Sequence, residues 1–148
     1  MHLLVTGIPA CGKTTFARWL VANHGYIRCP QGEEPGPDFY ADLSKALSAN
    51  VNVVIDWGFP VQDLQKVESL LAAGTTGWWF DGDRSAALEA FKMREGHPGT
   101  VEDFQRQLGQ IEQAWSSISA VFSDHVLEVI YPGPTFLSND ERWQRVRH

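Results

Sequence analysis

Two cysteines in 148 residues, Cys11 and Cys29, are too few for a disulfide framework. Their setting does not suggest a zinc or iron–sulfur site either, and both read as small, mainly apolar residues. Positive charge is also scarce. Twelve Lys and Arg against 18 Asp and Glu leave a formal net charge of -6. Polyanion binding depends on Lys and Arg neutralising phosphates, so nucleic acid is not an expected partner, a local basic patch aside. No apolar run approaches the roughly 18 residues that would cross a membrane, and no membrane partner is expected. Met1-His2-Leu3 opens directly into an apolar stretch, with no leader pattern. The expectation is a cytoplasmic protein with reduced thiols. No Asn-Lys-x-Asp guanine-reading motif occurs, which argues against a GTPase-like switch. Internal repeats and low-complexity tracts are absent too.

What is present is ordinary globular material: 43% hydrophobic and 20% charged residues. The length suits one domain over residues 1–148, large enough to bury a core without staples. It leaves no room for the added helical lid domain of AAA+ motors.

Residues Gly7-Ile8-Pro9-Ala10-Cys11-Gly12-Lys13-Thr14 spell a complete G-x-x-x-x-G-K-[ST] phosphate loop. The apolar run Leu3-Leu4-Val5 delivers the chain to it, and a helical pattern leaves it through Thr15. Glycines let successive backbone N–H groups converge on an anion because no Cβ blocks the approach. The helix start adds orphan donors and a positive dipole end. Lys13 would place a point charge on the β- and γ-phosphates of ATP, and the Thr14 hydroxyl would be a ligand to Mg²⁺.

Along the chain, short apolar strands alternate with amphipathic helices. Strands are expected at about His2–Thr6, Tyr26–Arg28, Val51–Asp56, Thr76–Asp81 and Val126–Tyr131. Helices are expected at about Lys13–Asn23, stopped by Gly25, then Phe39–Ala49, Pro60–Ala73 and Arg84–Arg94, with Asp83 as cap. The strongest helical periodicity runs over Thr100–Phe122, opened by a Thr100/Asp103 capping box. A short C-terminal helix follows the Ser138-Asn139-Asp140-Glu141 cap. With no hairpin signal, this order predicts an α/β fold: a three-layer α/β/α arrangement around a five-stranded parallel sheet.

Asp56 ends the apolar third strand, and ligands of doubly wound sheets sit beyond the carboxyl ends of strands. A carboxylate there can hold Mg²⁺ through water or accept a proton.

The segment Val54-Ile55-Asp56-Trp57-Gly58-Phe59-Pro60 resembles the D-G-F-P segment of adenylate kinases with Trp57 inserted. Over nearly its full length the chain is similar to small P-loop kinases. These include gluconate and shikimate kinases, chloramphenicol phosphotransferase, the kinase half of polynucleotide kinase, and AAA-type kinase-like ATPases. Adenylate kinases usually carry arginine after D-G-F-P; Val61 stands here, which argues against a nucleoside monophosphate acceptor. The resemblance implies that Asp56 lies near the metal. It also implies a short arginine-bearing lid at about 92–100, where Lys92-Met93-Arg94-Glu95-Gly96-His97-Pro98-Gly99 breaks the helical pattern.

Arg94 is the lid candidate, with Lys92 and Arg84 as substitutes and His97 as a loop residue. A mobile arginine supplies charge to the equatorial oxygens while excluding water. By the same resemblance the acceptor pocket is lined by Arg28, Asp38, Trp57 and Phe59, with Glu33 and Glu34 in the intervening loop. Asp38 is the alternative to Asp56 as base. Trp78 and Trp79 read as core.

The expected activity is transfer of the ATP γ-phosphoryl group to a hydroxyl of a small-molecule acceptor, with Mg²⁺. A nucleoside, nucleotide or nucleic-acid end kinase is one alternative. An ATP-binding module or ATPase without an acceptor is another.

Overall fold

The computed structural model describes residues 1–31, 37–58, 61–94 and 99–148, side chains excepted at 30–31, 37–40 and 42. The strands are β1 (Leu3–Gly7), β2 (Ile27–Gln31), β3 (Val53–Trp57), β4 (Thr76–Gly82), β5 (Val126–Tyr131) and β6 (Thr135–Phe136). They form one sheet in the order β2-β3-β1-β4-β5-β6. The β1/β3, β2/β3 and β4/β5 pairs are parallel, and β5/β6 is antiparallel. The helices are α1 (Lys13–His24), α2 (Pro37–Ser48), α3 (Leu64–Ala72), α4 (Arg84–Met93), α5 (Val101–Gln113), α6 (Trp115–Phe122) and α7 (Asn139–Val146). The alternation of strand and helix is the α/β layout expected.

The sheet has six strands where five were expected. The sixth is a two-residue edge strand after the Pro132-Gly133-Pro134 turn, paired through Ile130↔Phe136 and Tyr131↔Thr135. Two exposed residues carry no period-2 signal, and a parallel crossover needs a dozen or more residues that this turn lacks. The expected helix over Thr100–Phe122 is two helices, α5 and α6. Ala114 breaks it at φ -96°, ψ 7°, in the bridge region. The redirected chain sets Trp115 edge-on to Trp79, with ring centroids 5.9 Å apart. A tertiary contact thereby accompanies a break that periodicity alone does not show. The third helix is likewise shorter than expected. A single 3₁₀ turn, Val61–Asp63, precedes α3, and Val67 and Leu70 are its buried residues.

The chain falls into two compact units. The first comprises Met1–Thr6 and Gly12–Trp78. Its core is the wholly buried run Leu3-Leu4-Val5 against Val53-Val54-Ile55, covered by Phe16, Ala17 and Leu20 of α1. These strands read as continuous apolar runs because both faces are covered. Gly25, at φ 69°, ends α1 and donates to the Leu20 carbonyl.

The second unit comprises Gly7–Cys11 and Trp79–His148. Trp79 is fully buried between Trp115 and Phe122, and its indole N–H donates to Asp81 at 2.7 Å. Helices α4, α5 and α7 start on the caps the sequence advertises. Asp83 accepts from the Ala86 amide at 2.8 Å. Thr100/Asp103 and Ser138/Glu141 form full capping boxes.

Candidate phosphate-binding site

The loop is built from backbone constraints. Gly7 has φ 148°, and a Cβ placed there would lie 2.0 Å from the Phe80 carbonyl oxygen. Any side chain at Gly7 would collide with the Phe80 backbone, so glycine here serves close approach. The next amide, Ile8, donates to the same Phe80 oxygen at 3.0 Å. Ala10 then takes a positive φ of 64°, unusual for a residue with a Cβ, and Gly12 takes 79°. Left-handed residues in a short run turn peptide planes so that amides face a common concavity, the geometry of an anion nest.

Gly12 is the N-cap of α1 and offers no side chain to cap it. No acidic residue occupies the first turn. The positive end of the helix therefore meets no carboxylate of its own. Lys13 and Thr14 are half-buried and Thr15 is exposed, while Gly7, Ile8 and Cys11 are buried. Pro9 and Ala10 are half-buried.

Thr14, Asp56 and Arg28 come together within the first unit. Asp56 is 5% exposed at the end of β3. Its Oδ2 accepts from the Thr14 hydroxyl at 3.0 Å. Arg28 grips the same carboxylate with two prongs, Nε to Oδ1 at 2.8 Å and Nη2 to Oδ2 at 2.7 Å. The strand register explains this reach. Arg28 lies opposite Val54 and Pro30 opposite Asp56, so Arg28 extends forward by one side-chain repeat on β2. The hydrogen bonds to Asp56 push the Arg28 guanidinium above its ordinary range, against a smaller opposing effect of desolvation. Asp56 is thus a fixed anionic acceptor whose carboxylate holds three donors. The sequence reading placed Arg28 with the acceptor and Asp56 with the metal. That Arg28 clamps Asp56 was not legible, because two residues 28 apart meet only through the β2/β3 register.

Thr14 spends its proton on Asp56, which leaves its oxygen lone pairs available. A hydroxyl oxygen and a carboxylate form a hard, oxygen-only donor pair. That is the kind of set Mg²⁺ takes alongside phosphate oxygens and water. Among the described residues no group of three or more His, Cys, Asp or Glu is placed to hold a metal by itself.

The other candidates are more dispersed. Trp57 is the last residue of β3 and fully buried, and its indole nitrogen has no hydrogen-bond partner among the described residues. Phe59, Glu33, Glu34 and His97 lie outside the described residues, as does the Asp38 side chain, although the Asp38 backbone is in α2. Arg94 is the exposed C-cap of α4, and its amide donates to the Phe91 carbonyl at 3.3 Å. Residues 95–98 of the lid segment lie outside the described residues. Lys92 is exposed in the last turn of α4. Arg84 is engaged by its own helix start: it pairs with Asp81 and donates to the Gly82 carbonyl at 3.1 Å.

A residue that the sequence reading passed over is Arg142. It is 3% exposed in a polar C-terminal helix, and it donates to the Cys11 carbonyl of the loop at 2.9 Å. Its one sequence cue is that it stands four positions before the buried Val146, on the same helix face.

Several solved structures share this fold. The chain superposes on a YorR protein of Bacillus subtilis, solved in complex with phosphorylated GDP, with a TM-score of 0.64. That match covers 99% of this chain and 94% of the other, at 16% identity. A gluconokinase of Sinorhizobium meliloti matches with a TM-score of 0.57 and 16% identity, over 86% of this chain and 81% of its own. A deoxyadenosine kinase of M. mycoides, solved with bound dATP, matches with a TM-score of 0.52 and 14% identity, over 99% and 97%. The chain has the fold of the small P-loop kinases. No protein-family model matches it, and no curated protein matches it significantly in sequence. At these identities the likeness is one of fold.

Proposed function

We propose that this P-loop kinase-like chain is an ATP-dependent phosphotransferase acting on a hydroxyl of a small-molecule acceptor, with residues 1–148 as one catalytic domain and a lid at about 92–100. The observation that carries the reading is the loop itself. Positive φ angles at Ala10 and Gly12 lead into an α1 start free of acidic residues, with Thr14 tied to Asp56. The gluconokinase and the dATP-bound deoxyadenosine kinase that share the fold support it by analogy.

In this reading the loop amides between Gly7 and Thr15 bind the triphosphate together with the Lys13 ammonium, apart from Ile8, whose N–H is given to Phe80, and Pro9, which has none. Thr14 and Asp56 are the residues that would hold Mg²⁺. When bound, the cation neutralises charge on the β- and γ-phosphate oxygens. The acceptor oxygen forms a bond to the γ-phosphorus while the bond to the β,γ-bridging oxygen breaks, and that electron pair leaves on ADP. The acceptor proton passes to a carboxylate, Asp56 or Asp38. Arg28, Trp57 and Phe59 belong to the acceptor side. Arg94 is assigned to the charge that develops on the transferring group, a contribution typically made by a positioned arginine.

The test is Lys13→Ala. The variant should fold, because Lys13 is half-buried at a helix start rather than in the core. It should lose most affinity for MgATP, measured by calorimetry. Unchanged MgATP binding would remove the phosphate-loop assignment. A screen of ATP consumption against sugars, small alcohols, antibiotics and nucleosides would then identify the acceptor.

A further inference from the structure

We propose that Arg142 is a positioning residue for the phosphate loop, one that sets the orientation of the Cys11–Gly12 peptide from the C-terminal helix. The inference rests on the phosphate-binding reading above. Helix α7 has only two buried residues, Arg142 and Val146. A short polar helix normally turns its cations to water, because burying a charge is costly unless it is hydrogen-bonded. Here the guanidinium is carried inward and met on three sides. Nη1 donates to the Cys11 carbonyl at 2.9 Å, and Nε donates to the Leu137 carbonyl at 3.0 Å. The Phe80 ring lies under Cζ, 5.4 Å from its centroid. Burial pushes the guanidinium below its ordinary value, yet arginine stays charged in proteins.

Phe80 is the other half of the device. Its carbonyl holds the Ile8 amide, and its backbone lies where a Gly7 side chain would be. One residue of β4 therefore fixes the start of the loop with its backbone and supports Arg142 with its ring. Arg142 fixes the loop's far end. A trans peptide points its C=O and N–H in opposite directions. With the Cys11 oxygen drawn toward Arg142, the amide that follows is directed away from it, and the carbonyl lone pairs are kept from facing a bound anion. The fork also places a permanent positive charge beside the loop, 131 residues from Cys11 in sequence. Lysine could supply the charge but not two fixed donor directions.

The experiment compares wild type with Arg142→Met and Arg142→Lys. Binding of MgATP, magnesium tripolyphosphate and adenosine is measured by calorimetry, with thermal melting as the fold control. Arg142→Met should weaken MgATP and tripolyphosphate by a common factor of about tenfold or more, the scale of a lost charge-assisted hydrogen bond. Adenosine affinity should stay within about twofold, because the base and ribose do not use the loop. Arg142→Lys should fall between the two, and its loss should shrink less at high salt than a purely electrostatic effect would. Tripolyphosphate binding within twofold of wild type in Arg142→Met overturns the proposal. So does an equal loss for adenosine and MgATP, which would make Arg142 a general structural residue. Should Arg142→Met fail to fold, the lysine variant decides: unchanged triphosphate affinity overturns the proposal, and a selective loss supports it. Wild type that binds no tripolyphosphate, or that binds it equally well after Lys13→Ala, takes down the phosphate-loop reading itself.

Discussion

Asp56→Asn perturbs the candidate site with little change of shape. The carboxylate holds Arg28 in a two-pronged pair and accepts the Thr14 hydroxyl. An amide keeps one oxygen acceptor and presents an NH₂ donor to a side chain that has only donors. One prong therefore becomes a donor facing a donor, and the charge assistance of the other is lost. A charge-assisted hydrogen bond is worth about 1.5–3 kcal/mol, and breaking a fully buried pair costs about 3–5 kcal/mol. Arg28 is 25% exposed, so water recovers part of its solvation once the pair breaks. The expected destabilisation is therefore lower, about 2 kcal/mol. Urea unfolding of wild type, Asp56→Asn, Arg28→Met and the double variant would isolate the pair, and the coupling between the two sites should be about 1 kcal/mol or more.

Function should respond more strongly than stability. ATP affinity in the absence of Mg²⁺ should be nearly unchanged in Asp56→Asn, because Lys13 and the loop amides remain. The gain in affinity on adding Mg²⁺ should largely disappear. Turnover of ATP should fall by about 10² or more, the scale of a lost metal-positioning or proton-accepting carboxylate. Turnover within about threefold of wild type would refute the role assignment. Zero coupling between Arg28 and Asp56 would refute the clamp, whatever the activity shows.

Trp79→Ala removes a fully buried ring from between Trp115 and Phe122 and should cost about 3–5 kcal/mol in urea unfolding; a loss below about 1 kcal/mol would mean that the ring is not part of the cooperative core. Trp79→Phe should recover much of this but leave Asp81 without its indole donor. The α7 capping box gives a pH signature. Hydrogen bonds from the Ser138 backbone and hydroxyl hold the Glu141 carboxyl below its ordinary value of 4.5. A depressed folded-state value means that the carboxylate stabilises the fold above the unfolded value and stops doing so as pH falls through the folded one. The difference in melting temperature between wild type and Glu141→Ala should thus be full above about pH 4.5 and shrink as the pH is lowered further; a pH-independent difference would contradict the linkage.

The contrast between Lys13 and Arg142 shows what the sequence could carry and what it could not. Lys13 belongs to a local word whose meaning is fixed within eight residues. Glycine at 7 and 12 and the helix that follows are all visible in the string, and the positive φ at Gly12 is what that word requires. The caps at Asp83, Thr100 and Ser138 are local in the same sense, and so is the placement of Trp78 and Trp79 in an apolar strand. Arg28 and Arg142 depend on distant partners. Arg28 becomes a clamp because β2 pairs with β3 in the one register that sets it two residues short of Asp56's neighbour; a shift of one residue would turn it to the opposite face of the sheet. Arg142 is read as a solvated helix cation until the fold sets Phe80 under it and the Cys11 carbonyl in front of it.

The two-residue β6 and the break at Ala114 were missed for a related reason. The break at Ala114 is accompanied by the contact of Trp79 with Trp115, far apart in sequence, and β6 by the pairing of Ile130 with Phe136 across a tight turn, and neither leaves a period in the nearby residues. The phosphate loop therefore combines two kinds of information. Its donors are written in one short segment, while the groups that orient it come from β4 and α7, more than 70 residues away in sequence at Phe80 and 131 at Arg142. A motif transplanted without those supports would keep its lysine and its glycines. It would lose the carbonyl contacts at both ends of Gly7–Cys11, and with them the fixed peptide orientation on which an anion nest depends.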